Sequence, residues 1–123
     1  MRARFIRGGD SLDRLGIGRI KERKRERMNA EMTQALEKLM DDEKLPKPRN
    51  PLNHKSTEDH LKLGFFIGSY FYYLYYDLTD DQFFAGWEFW DHGRAVNWDS
   101  FEFKKIEKGI WWLKGWIEEG GNK

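Results

Sequence analysis

Apolar residues recur along much of the chain at helical spacing, and the stretches between them are rich in charge or proline. From Arg19 to about Asp42 the residues are strong helix formers, and every third or fourth position is apolar. These positions are Met28, Met32, Leu36, Leu39 and Met40. The pattern predicts a first helix, which the prolines of residues 45–51 end because proline lacks an amide hydrogen.

Residues 56–92 predict two more helices. The segment 56–59 supplies a hydroxyl cap and first-turn acids, and apolar residues continue at helical spacing through Leu61, Phe65, Tyr72 and Tyr75 to Leu78. The uncharged run between Lys62 and Asp77 is shorter than the roughly 18 residues that cross a bilayer, so we interpret it as a buried helix. Residues 79–82 match a capping box before an aromatic run that ends at His92 and Gly93.

The clearest periodicity lies near the C-terminus. Asp99 can cap a last helix whose apolar stripe is Phe103, Ile106, Ile110, Leu113 and Ile117, and Gly120 and Gly121 close it. A competing interpretation makes residues 95–106 a strand, because apolar and polar residues alternate there. The expected fold is therefore an all-α domain of about four helices. The alternative is an α+β fold with a short strand or hairpin near residues 95–106.

Composition divides the chain into four parts. Residues 1–18 hold four glycines and few apolar groups, so burial cannot offset an ordering entropy of about 1–2 kcal/mol per residue, and we expect a flexible basic arm. Residues 19–43 form the first helix, with a basic N-terminal half, and residues 44–55 are a proline-rich linker. Of the twenty aromatic residues only Phe5 precedes Phe65, so residues 56–123 are an aromatic-rich helical body.

Charge is strongly segregated although the net charge is only +1. Residues 1–27 carry ten Arg and Lys against four Asp and Glu. The first helix thus has its cations at the N-terminal end, the reverse of what the helix dipole favours. Phosphate binding explains this order, because arrays of Arg and Lys release condensed counterions. The predicted site for nucleic acid or a partner is Arg2, Arg4, Arg7, Arg14, Arg19, Lys21, Arg23, Lys24, Arg25 and Arg27. An acidic protein surface and a merely solvated basic face are the alternatives.

The aromatic excess indicates a second kind of site. One small core cannot hide all these rings, and exposed Tyr and Trp make good interface anchors. The predicted protein-interface residues are Tyr72, Tyr76, Trp112 and Trp116, with a homodimer as one outcome. The alternative is that these rings fill the core and only their polar tips reach its edge.

Candidate chemistry is sparse. The chain has no cysteine, which excludes disulfides, thiolate metal sites and a cysteine nucleophile. A loose group of Glu88, Asp91, His92 and Asp99 motivates a metal-dependent hydrolase only as a third hypothesis, because its histidine lacks a partner at ligand spacing. We expect no catalytic residue, metal or small-molecule cofactor. The N-terminus lacks the apolar stretch of a secretion signal, so the expected location is cytoplasmic, with no membrane partner.

Three segments carry a resemblance to a class of proteins. Residues 4–18 (RFIRGGDSLDRLGIG), 63–68 (LGFFIG) and 75–81 (YYDLTDD) resemble segments of small uncharacterised proteins of phages and mobile elements. This resemblance implies a small accessory protein of the anti-defence, anti-CRISPR-like class, acting in the host cell cytoplasm. It transfers no residue roles.

These observations together predict stoichiometric, non-catalytic binding. The expected partner is nucleic acid or a nucleoprotein effector complex, and the resemblance adds inhibition of a host defence effector such as a CRISPR nuclease. The alternative function is a homo-oligomeric scaffolding protein whose aromatic faces self-associate.

Overall fold

The computed structural model describes residues 10–121 of the chain and the side chains of residues 22–120. The elements are α1 (Asp10–Met40), β1 (Asn53–His54), β2 (His60–Ile67), β3 (Tyr70–Asp77), β4 (Gln82–Asp91), β5 (Arg94–Phe103) and α2 (Ile106–Gly121). The strands form one antiparallel sheet in the order β1-β2-β3-β4-β5. The predicted all-α domain of four helices is therefore wrong, and residues 10–121 form an antiparallel sheet with two helices.

The predicted second helix is a β-hairpin. Strands β2 and β3 pair from His60 opposite Asp77 to Ile67 opposite Tyr70. Gly68 makes the turn with φ 61, a left-handed conformation that glycine adopts without the Cβ clash of other residues. Tyr and Phe favour strands because their rings pack on a pleated surface, and this preference outweighs the helical spacing of a few apolar positions.

The predicted third helix is strand β4. Asp77 Oδ1 accepts hydrogen bonds from the amides of Thr79 (2.8 Å) and Asp80 (3.1 Å), so the polar residues before β4 form a turn rather than a helix cap. Asp81 completes this turn at φ 55, in the left-handed region that aspartate tolerates better than most residues.

The C-terminal helix is confirmed over residues 106–121, but its predicted first turn belongs to β5. The alternative strand near residues 95–106 is present as β5, although the sheet extends far beyond the single hairpin that this alternative allowed. The register between β4 and β5 shifts at Phe89 and Trp90.

The first helix is confirmed, with Met28, Met32, Leu36 and Leu39 buried along one face. It begins at Asp10, so residues 10–18, which we assigned to a flexible arm, continue the helix. Residues 1–9 lie outside the described residues. The expected linker of residues 44–55 contains the two-residue strand β1.

The sheet has two different faces. Both helices lie on one of them, α1 over β2 and α2 over β3, β4 and β5. The buried residues of this covered face are Leu61, Leu63, Phe65, Tyr72, Leu74, Tyr76, Ala85 and Phe103, which join the helices in one apolar core. Because side chains alternate along strands, the opposite, open face consists of His60, Lys62, Gly64, Phe66, Phe71, Tyr73, Tyr75, Asp77, Gln82, Phe84, Gly86, Glu88, Trp90, Trp98, Ser100 and Glu102.

Candidate nucleic-acid interface

The basic half of α1, residues 10–27, precedes the first core residue of the helix. Arg23 and Arg27 are exposed, whereas Lys24 and Arg25 are half-buried, and the apolar face begins at Met28. Of the other predicted cations, Arg14, Arg19 and Lys21 belong to α1, but the structure describes only their backbone. Arg2, Arg4 and Arg7 fall outside the described residues altogether.

Polar contacts attach α1 to one end of the sheet. Lys24 Nζ lies 3.0 Å from Asp81 Oδ1, and the same carboxylate accepts a hydrogen bond from the Tyr76 hydroxyl. At the next residue of the helix, Arg25 Nη1 donates a hydrogen bond to the Glu58 carbonyl at 3.2 Å. Beyond these contacts the helix continues to Asp10, a distance of about 20 Å at 1.5 Å per residue.

The three groups of this contact shift one another's ionisation. Hydrogen bonds from Tyr76 and Lys24 lower the pKa of Asp81. The pKa of Lys24 is raised by its contacts with Tyr76 and Asp81, and burial, followed by the bond to Asp81, raises the pKa of Tyr76. Asp81 and Lys24 are therefore both charged at neutral pH, and the pair leaves Arg23 and Arg27 as the exposed cations of the basic half among the described side chains.

A second group of cations lies on the open face, over aromatic rings that lie flat. A Cβ built on Gly64 would be 2.7 Å from Phe71 Cζ, and one on Gly86 would be 2.6 Å from Tyr73 Cζ. The rings of Phe71 and Tyr73 thus rest on glycine backbone, a close approach that any side chain at these two positions would block. Their outer faces point away from the sheet.

Amino and guanidinium groups cover those outer ring faces. Lys55 Nζ lies 4.9 Å from the ring centres of both Phe71 and Trp90, and Lys62 Nζ lies 4.5 Å from that of Tyr73. The Arg49 guanidinium lies 5.3 Å from the Phe66 ring centre. These are cation–π distances, so the face combines positive charge with aromatic surface.

One carboxylate organises this group. Glu88 Oε2 lies 2.9 Å from Lys62 Nζ, and Glu88 Oε1 accepts a hydrogen bond from the Trp90 indole at 3.0 Å. Burial raises the pKa of the neighbouring Tyr73 hydroxyl to about 12, so this phenol is neutral near pH 7. Lys62 is paired with Glu88, while the exposed side chains of Lys55 and Arg49 lie beside the rings without a carboxylate within 4.0 Å among the described side chains.

The predicted protein-interface residues separate into two pairs. Tyr72 and Tyr76 are buried in the core and present no surface anchor. Trp112 and Trp116 are half-buried and stack with Phe101, whose ring centre lies 4.9 Å from that of Trp112. The exposed rings beside them, Phe101 and Trp111, were not predicted.

Sequence reasoning also missed the open-face residues Lys55, Lys62 and Trp98. Trp98 is 64% exposed on the edge strand β5. Trp98 is one of the alternating apolar residues that predict a strand over residues 95–106, and this alternation is the signal that could have found it. The lysines gave no signal, because their aromatic partners are distant in the sequence.

The loose acidic group does not form a site. Glu88 and Asp99 project from opposite faces of the sheet, and the only carboxylate within 4.0 Å of a histidine in the described side chains is Asp91, beside His92. Among residues 22–120 no group of three or more His, Asp or Glu side chains is arranged to hold a metal ion. Nor is any helix in the described range long and apolar enough to cross a membrane.

Comparison of the chain with protein-family models, with curated proteins and with solved structures finds no match. The resemblance to phage and mobile-element proteins therefore stays a prediction.

Proposed function

We propose that the protein binds nucleic acid, or a nucleoprotein complex, through the basic half of α1 and does so without catalysis. The observation that carries the proposal is the placement of Arg23 and Arg27. Both are exposed, and both precede the apolar face of α1. Contacts of Lys24 and Arg25 attach this part of α1 to the sheet. A rigid helix presents such cations at a fixed spacing, which suits a phosphate backbone.

The energetics of this interaction follow from counterion release. Each phosphate neutralised by Lys or Arg displaces condensed cations, so the affinity falls with salt, with a log–log slope of about −0.9 per contact on duplex DNA. Such contacts fix position and carry little sequence information. We therefore expect binding that depends weakly on sequence and strongly on ionic strength.

The test compares two double charge reversals. Arg23→Glu with Arg27→Glu should weaken binding to a labelled DNA duplex at least tenfold and flatten the salt slope by about two contacts. The matched control, Lys38→Glu with Lys44→Glu, makes the same change in net charge at exposed positions at and beyond the C-terminal end of α1. Equal loss in both variants, or no loss in either, would contradict binding through the basic half.

A second candidate, the homo-oligomeric scaffold, is favoured by one specific observation. Phe101 and Trp111 are 42% and 61% exposed and adjoin the half-buried Trp112 and Trp116. An exposed aromatic patch of this kind is typical of interaction surfaces. If copies of the chain associate there, sedimentation velocity should detect a dimer that Trp111→Glu dissociates and Trp98→Glu, on the other sheet face, does not. A monomer at high micromolar concentration would exclude this candidate.

A further inference from the structure

The open face of the sheet is a second surface with the chemistry of nucleic-acid binding, and it is separate from α1. One row crosses four strands, with Phe66 opposite Phe71, Phe71 opposite Glu88, and Glu88 opposite Trp98. Strands are about 4.8 Å apart, so Phe71 and Trp98 are separated by about 10 Å. The row therefore carries rings on three of its four strands, from Phe66 and the buried Phe71, which Lys55 and Lys62 cover, to the exposed Trp98.

We propose that this row binds unpaired bases of single-stranded nucleic acid. Base stacking needs flat aromatic surface, and the glycine backbone beneath Phe71 and Tyr73 holds these rings parallel to the sheet. Duplex bases already stack on one another and cannot use such a surface. The ligand class is accordingly single-stranded RNA or DNA, and sequence preference is weak because every base has a π face.

The cations of this face indicate how the strand is held. The exposed Lys55 covers Phe71 and Trp90 in the free protein, and its ammonium group can swing from the ring to a phosphate when a base takes its place. Arg49 covers the Phe66 ring in the same way. Each side chain exchanges a cation–π contact for an ion pair with phosphate, so little interaction is lost on binding.

The distribution of charge locates the ligand at one end of the open face. Arg49, Lys55 and Lys62 all surround the Phe66–Trp98 row, where Glu88 is the acidic residue and is already paired with Lys62. The other acids of this face, Asp77 and Glu102, lie at the opposite end, level with Gln82 and Phe84. An anionic strand is thus attracted to the aromatic row and repelled from the far end.

The decisive experiment separates base stacking from phosphate attraction. A labelled oligo(dT) of twelve nucleotides, an abasic strand of the same length and a duplex are titrated with the full chain at 150 mM salt. We expect oligo(dT) to bind about tenfold more tightly than the abasic strand. Equal affinities of these two strands would overturn the proposal, as would equally effective competition by polyglutamate.

A matched pair of tryptophans tests the location. Trp98 and Trp111 are 64% and 61% exposed, so either can be replaced by alanine without loss of the fold. Trp98→Ala should remove most of the preference for oligo(dT) over the abasic strand, Trp98→Phe should retain it, and Trp111→Ala should leave it unchanged. Equal effects of the two alanine variants would show that the row is not the site.

The ratio of the affinities for oligo(dT) and for the abasic strand tests the open face independently of the role of α1. Arg23→Glu with Arg27→Glu should weaken oligo(dT), abasic strand and duplex alike, which leaves the ratio between oligo(dT) and the abasic strand unchanged. Lys55→Ala should likewise weaken both single strands by a similar factor. Loss of the ratio with the α1 variant, and its retention with Trp98→Ala, would place base recognition on the helix and overturn the proposal.

Discussion

The covered and open faces of the sheet bury their central side chains equally well, but by different means. On the covered face Leu74 is fully buried beneath α2, where a Cβ built on Gly109 would lie 3.0 Å from Leu74 Cδ2. On the open face Phe71 is also fully buried, yet its cover includes the amino groups of Lys55 and Lys62. Packed helices can leave only by unfolding, whereas lysine side chains can rotate away. Two side chains can therefore be equally buried although only one of them can be exposed without unfolding, and only the open face can be uncovered for a ligand.

The largest expected difference between the faces is in stability. Leu74→Ala leaves a cavity in the closed core and should lower the free energy of unfolding by about 3 kcal/mol. Lys55→Ala exposes one ring face but creates no cavity, and a surface cation–π contact is worth only about 0.5–1 kcal/mol. Urea unfolding followed by circular dichroism measures both.

The comparison between the faces depends on the loss for Leu74→Ala being much larger than the loss for Lys55→Ala. If Lys55→Ala destabilised the protein as much as Leu74→Ala, the lysine would be part of a closed core. The open face would then be unavailable to any ligand without unfolding.

A second, smaller difference concerns glycine. A Cβ at Gly86 meets Tyr73 Cζ at 2.6 Å, so Gly86→Ala must displace a ring and should cost about 1–3 kcal/mol. The same substitution at Gly115, an exposed position of α2 where a Cβ meets no atom within 4 Å, should stabilise the protein by about 0.5–1 kcal/mol. Thermal unfolding of the two variants should therefore shift in opposite directions. A shift of Gly86→Ala to higher temperature would show that Tyr73 does not rest on this glycine.

Sequence periodicity predicts the helices and misreads the strands for one physical reason. Stripes such as Leu36 with Leu39, or Ile110 with Leu113, are three residues apart and fit only a helix. Leu61 and Phe65 are four apart, and that separation lies on one face of a helix and also of a strand. Because both faces of β2 and β3 are buried, few polar residues mark the two-residue alternation that would have decided for strands.

The candidate sites divide in the same way. The basic half of α1 is a run of neighbouring residues, so composition alone reveals it. The open-face group joins Lys55 to Trp90 and Lys62 to Glu88, residues that only the strand register brings together. No pattern along the chain predicts such pairs before the register is known.

The smallest expected effect lies at the edge of the covered face, where α1 is attached by charge instead of apolar packing. Asp81→Asn removes the ion pair with Lys24 but keeps a residue that tolerates the φ of 55 at this position. Because the Asp81 side chain is 63% exposed, solvent screens the pair, and the cost at pH 7 should be under about 1 kcal/mol. The difference in unfolding free energy between wild type and variant measures it.

The pH dependence of that difference tests whether it comes from the charge of Asp81, which binds both the Tyr76 hydroxyl and Lys24. The pKa of Asp81 is lowered in the folded protein, so its contribution is present above the unfolded value of about 3.9 and is lost as the pH falls through the folded value. Wild type and Asp81→Asn should therefore differ at pH 5–7 and converge well below pH 3.9. The neighbouring exposed Asp80→Asn makes the same charge change without an ion pair to Lys24 and should leave no comparable difference. A gap between wild type and Asp81→Asn that persisted at pH 2 would show that the charge of the carboxylate is not the source of the difference.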